Sequence, residues 1–458
     1  MRLIPQPPAA GPGTSGAQTP ERVGRAGWSP WQAVVGFGAV SLAADMVYEG
    51  ARSVYGPLLG SLGASALVVS AVTGAGEAAA LILRVVSGPL ADRTRRYWTL
   101  TITGYALTAV CVPLLALTPF LGGAGLAVAA GLILAERIGK AVRSPAKSAL
   151  LADAAAQVGM GRGLGVHKAL DQIGSFTGPL LVAALIAANT GALWPGLAAL
   201  AVPGAVAMAL LFLTRRRMPR PVDPPTSTDP DSQPPGTARR PHVTLAARFQ
   251  AMRSRLPGPF LNFALGTALC TAGLVTFGLI GFHLVERDLI PTAAVPLLYA
   301  AAMAAGALAA LATGEAYDRF GPRILLTLPF LIAAVPALAF SASLGAVVIG
   351  VLLWGAAVGV QDSTVKALVA DLVPREHRAT AYGIFASVQG AGAIIGGVAT
   401  GAIYQQQSLP TLVAVIATAE LAALLLLTPV LRRPTHGTPR PDNLPPPAQQ
   451  PIFPQDDR

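Results

Sequence analysis

The sequence predicts an all-α integral membrane protein, in which twelve transmembrane helices form two six-helix repeats around a central cavity. Two observations lead to this fold class. Apolar residues make up 53% of the chain and charged residues 12%, and one short motif follows an apolar segment in each half. A water-soluble domain could not bury so large an apolar fraction, so we expect the lipid bilayer to be the solvent.

The repeated motif is the evidence for two copies of one unit. The first copy reads Gly88-Pro89-Leu90-Ala91-Asp92-Arg93, and the second reads Gly314-Glu315-Ala316-Tyr317-Asp318-Arg319. A second pair recurs in the same order, in which Lys147, Asp153 and Gly165 are matched by Lys366, Asp371 and Gly383. Internal repeats of this kind are typical of membrane transport proteins built by duplication.

The helices follow from the uncharged runs of the chain. Four runs exceed the roughly 20 residues needed for one crossing, and each is long enough for two helices: 98–135, 173–214, 324–361 and 379–419. Each run is broken near its middle by turn-forming residues, at 119–123, 189–191, 341–345 and 405–410. Four more helices are predicted over 31–55, 64–88, 259–283 and 296–315. Pro145 should end the fourth helix.

Basic residues predict the orientation. They concentrate in alternate connections, among them Arg93, Arg95, Arg96, Arg215, Arg216, Arg217, Arg319, Arg323, Arg375, Arg378, Arg432 and Arg433. Because short basic loops stay in the cytoplasm, we expect both termini to be cytoplasmic, in the inner (plasma) membrane of a bacterium. The predicted units are a disordered N-terminus (1–27), a six-helix bundle (28–214), a cytoplasmic linker (215–257), a second six-helix bundle (258–433) and a disordered tail (434–458).

Several classes of partner are not expected. The net charge of +11 is spread over loop ends beside an anionic leaflet, so it does not indicate nucleic-acid binding. Cys111 and Cys270 lie in apolar spans and predict neither a disulfide nor a metal site. Neither half has a phosphate-binding loop ending in Gly-Lys-Ser/Thr, so we expect no bound nucleotide. No other cofactor is predicted, and a non-enzymatic function is favoured over an enzyme. We expect a monomer in lipid.

The doubled motif, the two sixfold halves and the basic linker between them resemble the major facilitator superfamily of secondary transporters. The resemblance extends over residues 31–433. Two departures from the family pattern are Arg95 at a usual glycine position and Pro322 before Arg323. The resemblance implies a small-molecule substrate that is moved by alternating access of a central site to the two sides of the membrane.

The resemblance also implies a role for the repeated loop. In the family this loop holds the halves in the outward-open state, so Asp92, supported by Arg93, would contact the start of the eleventh helix near Ala381. The full set of latch candidates is Gly88, Asp92, Arg93, Gly314, Asp318 and Arg319. The arginines have a simpler alternative role, which is to set the topology.

The fifth helix contains Gly174, Gly178 and Pro179 in the spacing Gly-x-x-x-Gly-Pro. This spacing resembles a signature of exporters that exchange substrate for protons, although Val182 and Ala183 stand where further glycines are usual. The resemblance favours export over a proton-coupled uptake symporter. Close helix packing explains the same residues equally well.

Ionisable residues at bilayer depth are costly, so each should face a cavity or a partner. Asp45, Glu49 and Arg52 lie on one face of the first helix, where two carboxylates would titrate as a pair and carry a proton. The alternative is that Arg52 neutralises Glu49. The candidates for proton coupling are Asp45, Glu49, Glu77, Glu136, Arg137 and Asp171. By resemblance, Arg137 is the nearest match to an arginine implicated in proton transfer in the family.

A second set is predicted to line the cavity or contact substrate: Arg52, Arg84, Gln172, Asn262, Tyr299, Gln361, Asp362 and Gln389. Arg84 lies on the same face of its helix as Glu77, and the two could share a network or pair elsewhere. Lys140 and Arg143 are expected to extend to the cytoplasmic interface. His167 is expected to be structural, and Glu420 in the last helix has no predicted role.

Three classes of function remain open at this point. The first is a proton-coupled secondary transporter. The second is a membrane enzyme acting on lipid, for which His377 beside Glu376 and Asp371 is the one candidate cluster. The third is a sensor or scaffold of the same fold that does not transport.

Overall fold

The computed structural model describes residues 28–218, 258–363, 365, 368, 369, 372, 373 and 378–432, with side chains from residue 381 onward in the last segment. The terminal segments, most of the linker and the cluster at Asp371, Glu376 and His377 lie outside the described residues. The described chain is helical, with short 3₁₀ turns and no strand among these residues.

Twelve helical spans cross the molecule, named here span 1 to span 12. In the first half they are Pro30–Arg52, Ala66–Thr94, Tyr97–Phe120, Gly125–Ala156, Met160–Ala188 and Leu193–Arg217. In the second half they are Gly258–Glu286, Ala294–Phe320, Thr327–Ala339, Leu344–Asp362, Arg378–Gln405 and Leu409–Leu431. The fold class expected from the sequence is therefore confirmed.

Length and hydropathy alone mark ten membrane-crossing segments in the described chain. One of them, Ala294–Ala339, contains two spans joined by a 3₁₀ turn. Span 4 does not meet this criterion because it contains four charged residues near its middle, Glu136, Arg137, Lys140 and Arg143. Dividing Ala294–Ala339 into two spans and adding span 4 gives twelve spans in the described residues, which is the predicted number. The turns after spans 3, 5, 9 and 11 fall at the four predicted breaks, which contain turn-forming residues.

The prediction that Pro145 ends the fourth helix is wrong, because span 4 continues through Pro145 to Ala156. Proline has no N–H to bond the carbonyl four residues earlier, which here belongs to Ala141. The hydroxyl of Ser87 in span 2 donates to that carbonyl at 2.8 Å. A neighbouring helix thus provides the missing partner, and the helix does not break.

The two ends of the bundle are named from their loops. The basic face carries the start of span 1 and the ends of spans 2, 6 and 8, with Arg93, Arg95, Arg96, Arg215, Arg216, Arg217 and Arg319. The distal face carries the end of span 1 and the ends of spans 5, 7 and 11.

The halves meet along two helix pairs, in which span 2 packs along span 11 and span 5 packs against span 8. Between spans 2 and 11 the backbones come very close, since a Cβ on Gly74 would lie 2.8 Å from the carbonyl oxygen of Ala393. Only glycine permits this approach without moving one helix. Spans 1 and 5 form the most extensive contact within the first half.

The distal face is closed by contacts between the halves. The short helix Tyr55–Ser61, which follows span 1, packs against Phe277–Glu286 at the end of span 7. Two hydroxyl pairs reinforce this closure: Thr73 donates to Thr276 at 2.9 Å, and Ser70 and Thr400 lie 3.3 Å apart. The central cavity below is therefore separated from the distal face.

Candidate functional site

A cavity of about 210 Å³ lies between the two halves, below the distal closure. Its wall takes residues from both repeats: Tyr48, Glu49, Arg52, Gly74, Glu77, Ala80, Leu81, Arg84 and Lys140 from the first, and Thr271, Leu274, Val275, Thr276, Trp354, Val358, Gln361, Asp362, Gln389 and Ala393 from the second. Acidic and basic side chains therefore face one another across a space at membrane depth.

Glu49 links the two halves. Its Oε2 accepts a hydrogen bond of 2.5 Å from the hydroxyl of Tyr299, which lies on span 8 in the second repeat. The same oxygen lies 3.6 Å from Nη1 of Arg52, one turn further along span 1. Tyr299 is fully buried, and its ring packs edge-on against Phe277 at 4.6 Å. The carboxylate of Glu49 thus holds a cross-repeat contact.

Glu77 lies between two guanidinium groups. Nη2 of Arg52 approaches its Oε1 at 2.6 Å, and Nη1 of Arg137 approaches the same oxygen at 3.5 Å. Arg52 therefore bridges Glu49 and Glu77 and does not serve Glu49 alone. Arg137 is buried behind the cavity wall, where it also donates to the hydroxyl of Tyr48 and stacks over that ring at 4.5 Å.

Glu136 lies deeper still and is wholly buried. Nε of Arg137 is 3.5 Å from its Oε2, and the hydroxyl of Thr108 donates to its Oε1 at 3.4 Å. Thr108 in turn accepts from Arg143, whose guanidinium lies 4.5 Å from the centre of the Tyr105 ring. Spans 2, 3 and 4 are therefore joined by alternating charges that lead away from the cavity.

Lys140 corrects one expectation. The sequence suggested that it reaches the interface, but it lines the cavity, and its Nζ lies 3.6 Å from the centre of the Tyr48 ring. Arg143 is likewise buried rather than interfacial. Sequence reasoning also missed Tyr48 and Trp354 in the wall, because an aromatic residue in an apolar span carries no signal that distinguishes a cavity from a packed core.

Asp45 has a different partner from the one expected. The spacing on span 1 predicts a pair with Glu49. In the structure, the Asp45 carboxyl group lies within hydrogen-bonding reach of Asp171 on span 5. Two adjacent carboxyl groups in a low dielectric share one proton readily. Lys168 forms an ion pair with Asp171, at 2.7 Å between Nζ and Oδ2. The Asp45–Asp171 pair therefore lies toward the basic face from Glu49, between spans 1 and 5.

A polar chain adjoins this pair. The hydroxyl of Ser41 accepts from Nζ of Lys147 at 3.0 Å and lies 3.0 Å from Nε2 of His167 and 3.4 Å from the hydroxyl of Tyr105. His167 is buried and joins spans 1 and 5 through Ser41. The hydrogen-bonding contact of His167 is with Ser41, and Asp171, one turn further along span 5, lies beside Asp45 instead.

The remaining cavity candidates divide into two groups. Arg84, Gln361, Asp362 and Gln389 line the wall, and Arg84 and Asp362 are close enough to interact electrostatically. Gln172, Asn262 and Tyr299 do not line it. Asn262 is exposed, and nine residues separate it from Thr271 on the same span, which turns it to the opposite side of the helix. Tyr299 acts behind the wall through Glu49.

The latch candidates lie apart in this conformation. Asp92 is exposed and accepts a hydrogen bond of 3.3 Å from Tyr97, while Arg93 is exposed beside it. Among the described atoms, a Cβ on Gly88 would meet Pro145 at 4.0 Å and a Cβ on Gly314 would meet nothing within 4 Å. Asp318 is exposed, and Arg319 pairs with Glu315 of its own helix. The latch remains a prediction for the conformation that is open at the distal face.

Gly174 and Gly178 are the closest points between spans 5 and 1. A side chain on either would collide with the backbone of span 1, at Leu42 and Met46 respectively. Pro179 follows within a continuous helix and is buried. These three residues therefore set the approach of span 5 to the helix that carries Asp45 and Glu49.

Comparison with known proteins agrees with this architecture. The model of the Major Facilitator Superfamily matches residues 33–287 and 282–454. This chain belongs to that superfamily. Its relatives include an uncharacterized protein of Mycobacterium tuberculosis, strain H37Rv, that is 48% identical over 420 residues, covering 91% of this chain and 97% of the relative.

Solved structures show the same fold at low sequence identity. A mutant of the nucleoside transporter NupG superposes with a TM-score of 0.67 at 13% identity, over 87% of this chain and 100% of that one. A D-xylose–proton symporter superposes with a TM-score of 0.59 at 13% identity, over 87% and 96%. The chain is therefore a multi-pass membrane protein with the fold of secondary transporters. At such identities the likeness extends to the fold alone.

Proposed function

We propose that this protein exchanges a small polar solute for protons across a bacterial inner membrane, with net export of the solute. It does so as a monomer with both termini in the cytoplasm. The observation that carries the proposal is the hydrogen bond between Glu49 and Tyr299, which joins a titratable group beside the cavity to the opposite repeat. A proton on Glu49 thereby acts on the contact between the halves.

The chemistry of this contact gives the direction of the coupling. Ionised Glu49 accepts from the Tyr299 hydroxyl and attracts Arg52. A proton on the carboxyl group removes the charge that strengthens both interactions. A hydrogen bond to a charged group contributes about 1.5 to 3 kcal/mol, and one between neutral groups contributes about 0.5 to 1.5 kcal/mol. Losing that charge therefore destabilises the closed distal face by about 1 to 1.5 kcal/mol, and its open population rises by roughly fivefold to tenfold.

This behaviour suits exchange better than symport. An exchanger must prevent the empty carrier from reorienting, or the proton gradient leaks. The ionised, unloaded state is the one that the Glu49–Tyr299 bond holds closed at the distal face. A symporter has the opposite requirement, since its empty carrier must return freely. The resemblance of Gly174, Gly178 and Pro179 to the exporter signature favours the same direction.

The cavity wall suggests the class of solute. Arg52, Arg84 and Lys140 face Glu49, Glu77 and Asp362, so the charges balance when all six are ionised. Gln361, Gln389 and the hydroxyls of Tyr48, Thr271 and Thr276 add neutral hydrogen-bonding groups. Such a wall suits a small polar or zwitterionic solute, because an apolar solute would leave these groups desolvated and unpaired.

We place the route to the basic face through Asp45 and Asp171. Asp45 lies one helical turn from Glu49 on span 1, and its neighbour Asp171 lies on span 5. The negative charge that remains when this pair shares one proton is offset by Lys168 at one end and by Lys147 at the other. Protons from Glu49 would thus leave the carrier without crossing lipid.

Transport in proteoliposomes tests the proposal. The purified protein would be reconstituted and supplied with a panel of labelled polar solutes under a pH gradient. Exchange predicts uptake when the lumen is acidic, in either orientation of the protein, and symport predicts uptake when the exterior is acidic. Glu49→Gln should abolish gradient-driven uptake but keep solute–solute exchange, while Glu286→Gln, an exposed acid outside the cavity, should behave as wild type.

Three results would contradict the proposal: uptake driven only by an acidic exterior, full gradient-driven uptake by Glu49→Gln, or no gradient-dependent flux of any solute. The first would assign symport, and the last would favour a sensor or scaffold.

A further inference from the structure

A second cavity, of about 300 Å³, lies at the distal face within the second repeat. It is formed where spans 7, 9, 11 and 12 end or begin, and His283, Arg287, Phe340, Tyr404, Gln407 and Leu412 contribute to its wall. It shares no lining residue with the central cavity. The transport mechanism proposed above does not use it.

Three rings build the floor of this cavity, called here the distal aromatic pocket. His283 packs edge-on against Phe340 at 5.1 Å and against Tyr404 at 5.6 Å between ring centres, and Phe340 and Tyr404 lie 5.2 Å apart. The imidazole Nδ1 lies 2.6 Å from the Tyr404 hydroxyl. The histidine is therefore held in one orientation by Phe340 and Tyr404.

The other ring nitrogen of His283 has no well-aligned hydrogen-bond partner among the described residues. The residue is only 6% exposed, and the one polar group recorded beside the ring, apart from Tyr404, is the backbone of Ser341, which offers a weak hydrogen bond. When the Tyr404 hydroxyl donates to Nδ1, the ring proton lies on Nε2, which becomes an unused donor. An unsatisfied buried donor is costly unless a ligand or water completes it.

Arg287 supplies a second set of donors at the mouth. It is exposed, lines the pocket, lies within hydrogen-bonding reach of the Tyr404 hydroxyl, and forms no salt bridge among the described residues. Glu286 and Asp288 flank it in the chain but do not line the cavity. The pocket therefore offers a guanidinium, an imidazole N–H and an amide from Gln407 above a floor of aromatic and aliphatic carbon.

We propose that the distal aromatic pocket binds a small organic anion with an apolar or aromatic body, and that the bound anion regulates transport. Its anionic group meets Arg287 and Nε2 of His283, and its body packs against Phe340, Tyr404 and Leu412. The volume is at the lower end of the range of small-molecule sites, so the ligand is the size of an aryl carboxylate.

Regulation follows from the position of the pocket. His283 follows Phe282 on the segment Phe277–Glu286, which packs against Tyr55–Ser61 of the other repeat. A Cβ on Gly60 would lie 2.9 Å from the Phe282 ring, so this seam has little room to shift. A ligand that fixes His283 and Arg287 stabilises the closed seam and slows distal opening, without competing at the central cavity.

Binding can be measured on the purified full-length protein without any pH gradient, so the result does not depend on proton coupling. The probe is 3-phenylpropionate, with 3-phenylpropanamide and 3-phenylpropylamine as its neutral and cationic analogues. Calorimetric titration in phosphatidylcholine nanodiscs should show saturable binding of the acid and at least about tenfold weaker binding of both analogues. Addition of phosphatidylglycerol tests whether the anion comes from lipid, since competition by that lipid would identify a headgroup as the source.

The variants Arg287→Gln and His283→Phe should each weaken binding of the acid by about tenfold or more. Arg432→Gln, an exposed arginine at the basic face, should leave it unchanged. His283→Phe retains an aromatic ring of similar shape. If His283→Phe nevertheless folds poorly, Arg287→Gln still tests the proposal. Equal affinity for the amide, unchanged binding in Arg287→Gln, or a loss of binding in Glu77→Gln that places the probe in the central cavity would each overturn the proposal.

Discussion

The Glu49–Tyr299 contact makes a prediction that a single hydroxyl group can test. Tyr299→Phe removes the donor to Glu49 Oε2 but keeps the ring, which packs against Phe277 and lies 6.1 Å from Trp354 between ring centres. The loss should destabilise the conformation closed at the distal face by about 1.5 to 3 kcal/mol, since the acceptor is charged. The population open at the distal face should rise by roughly tenfold to a hundredfold.

Distances between spin labels at the distal face report this population. Cysteines would be placed at Gly123 in the first repeat and Ser343 in the second, both exposed, after replacement of Cys111 and Cys270. Tyr299→Phe should add a longer distance at neutral pH. In a Glu49→Gln background the same change should have little further effect, because the two groups form one contact.

Tyr55→Phe is the matched control. Tyr55 is also buried in the first repeat near the seam, but its hydroxyl has no hydrogen-bond partner among the described residues. Removing that hydroxyl should not change the distances. If Tyr299→Phe and Tyr55→Phe give the same distribution as wild type, the contact does not hold the halves together and the coupling argument is wrong.

Three further predictions concern the rest of the site. Glu77→Gln leaves Arg52 and Arg137 without their shared carboxylate, so it should lower the melting temperature and abolish gradient-driven flux, and an unchanged melting curve would refute the pairing. Gly178→Val should prevent folding or transport because its side chain meets the backbone of span 1, whereas Gly131→Val, with open space around it, should be tolerated; equal expression of the two would contradict the packing. Asp92→Asn should reduce the population open at the distal face, because the latch would close the basic face in that conformation, and unchanged label distances would exclude the latch.

Much of the fold was predictable because it depends on the length of each apolar run and on the turns between runs. The breaks after spans 3 and 5 contain glycine with proline or asparagine, and those after spans 9 and 11 contain serine with a single glycine or proline. The path of span 4 through Pro145 was not predictable, because the group that satisfies Ala141, Ser87, lies on another helix.

The site was predictable to the extent that one helix defines it. The spacing of Asp45 and Glu49 predicts that both lie on one face of span 1, but their partners lie on spans 5 and 8. From the sequence alone, Lys140 could equally extend to solvent. In the structure its ammonium group lies beside the Tyr48 ring. Contacts between helices depend on rotation and depth, and the periodicity of a single span contains neither.

The central claim is that ionised Glu49 holds the distal face closed and that protonation releases it. The most direct test measures the distance between the labels at Gly123 and Ser343 as the pH is lowered, in wild type and in Glu49→Gln. The account predicts that acid lengthens the distance in wild type, while Glu49→Gln is already open at neutral pH and responds far less. An identical pH response in the two proteins, or a closed Glu49→Gln at every pH, would contradict it.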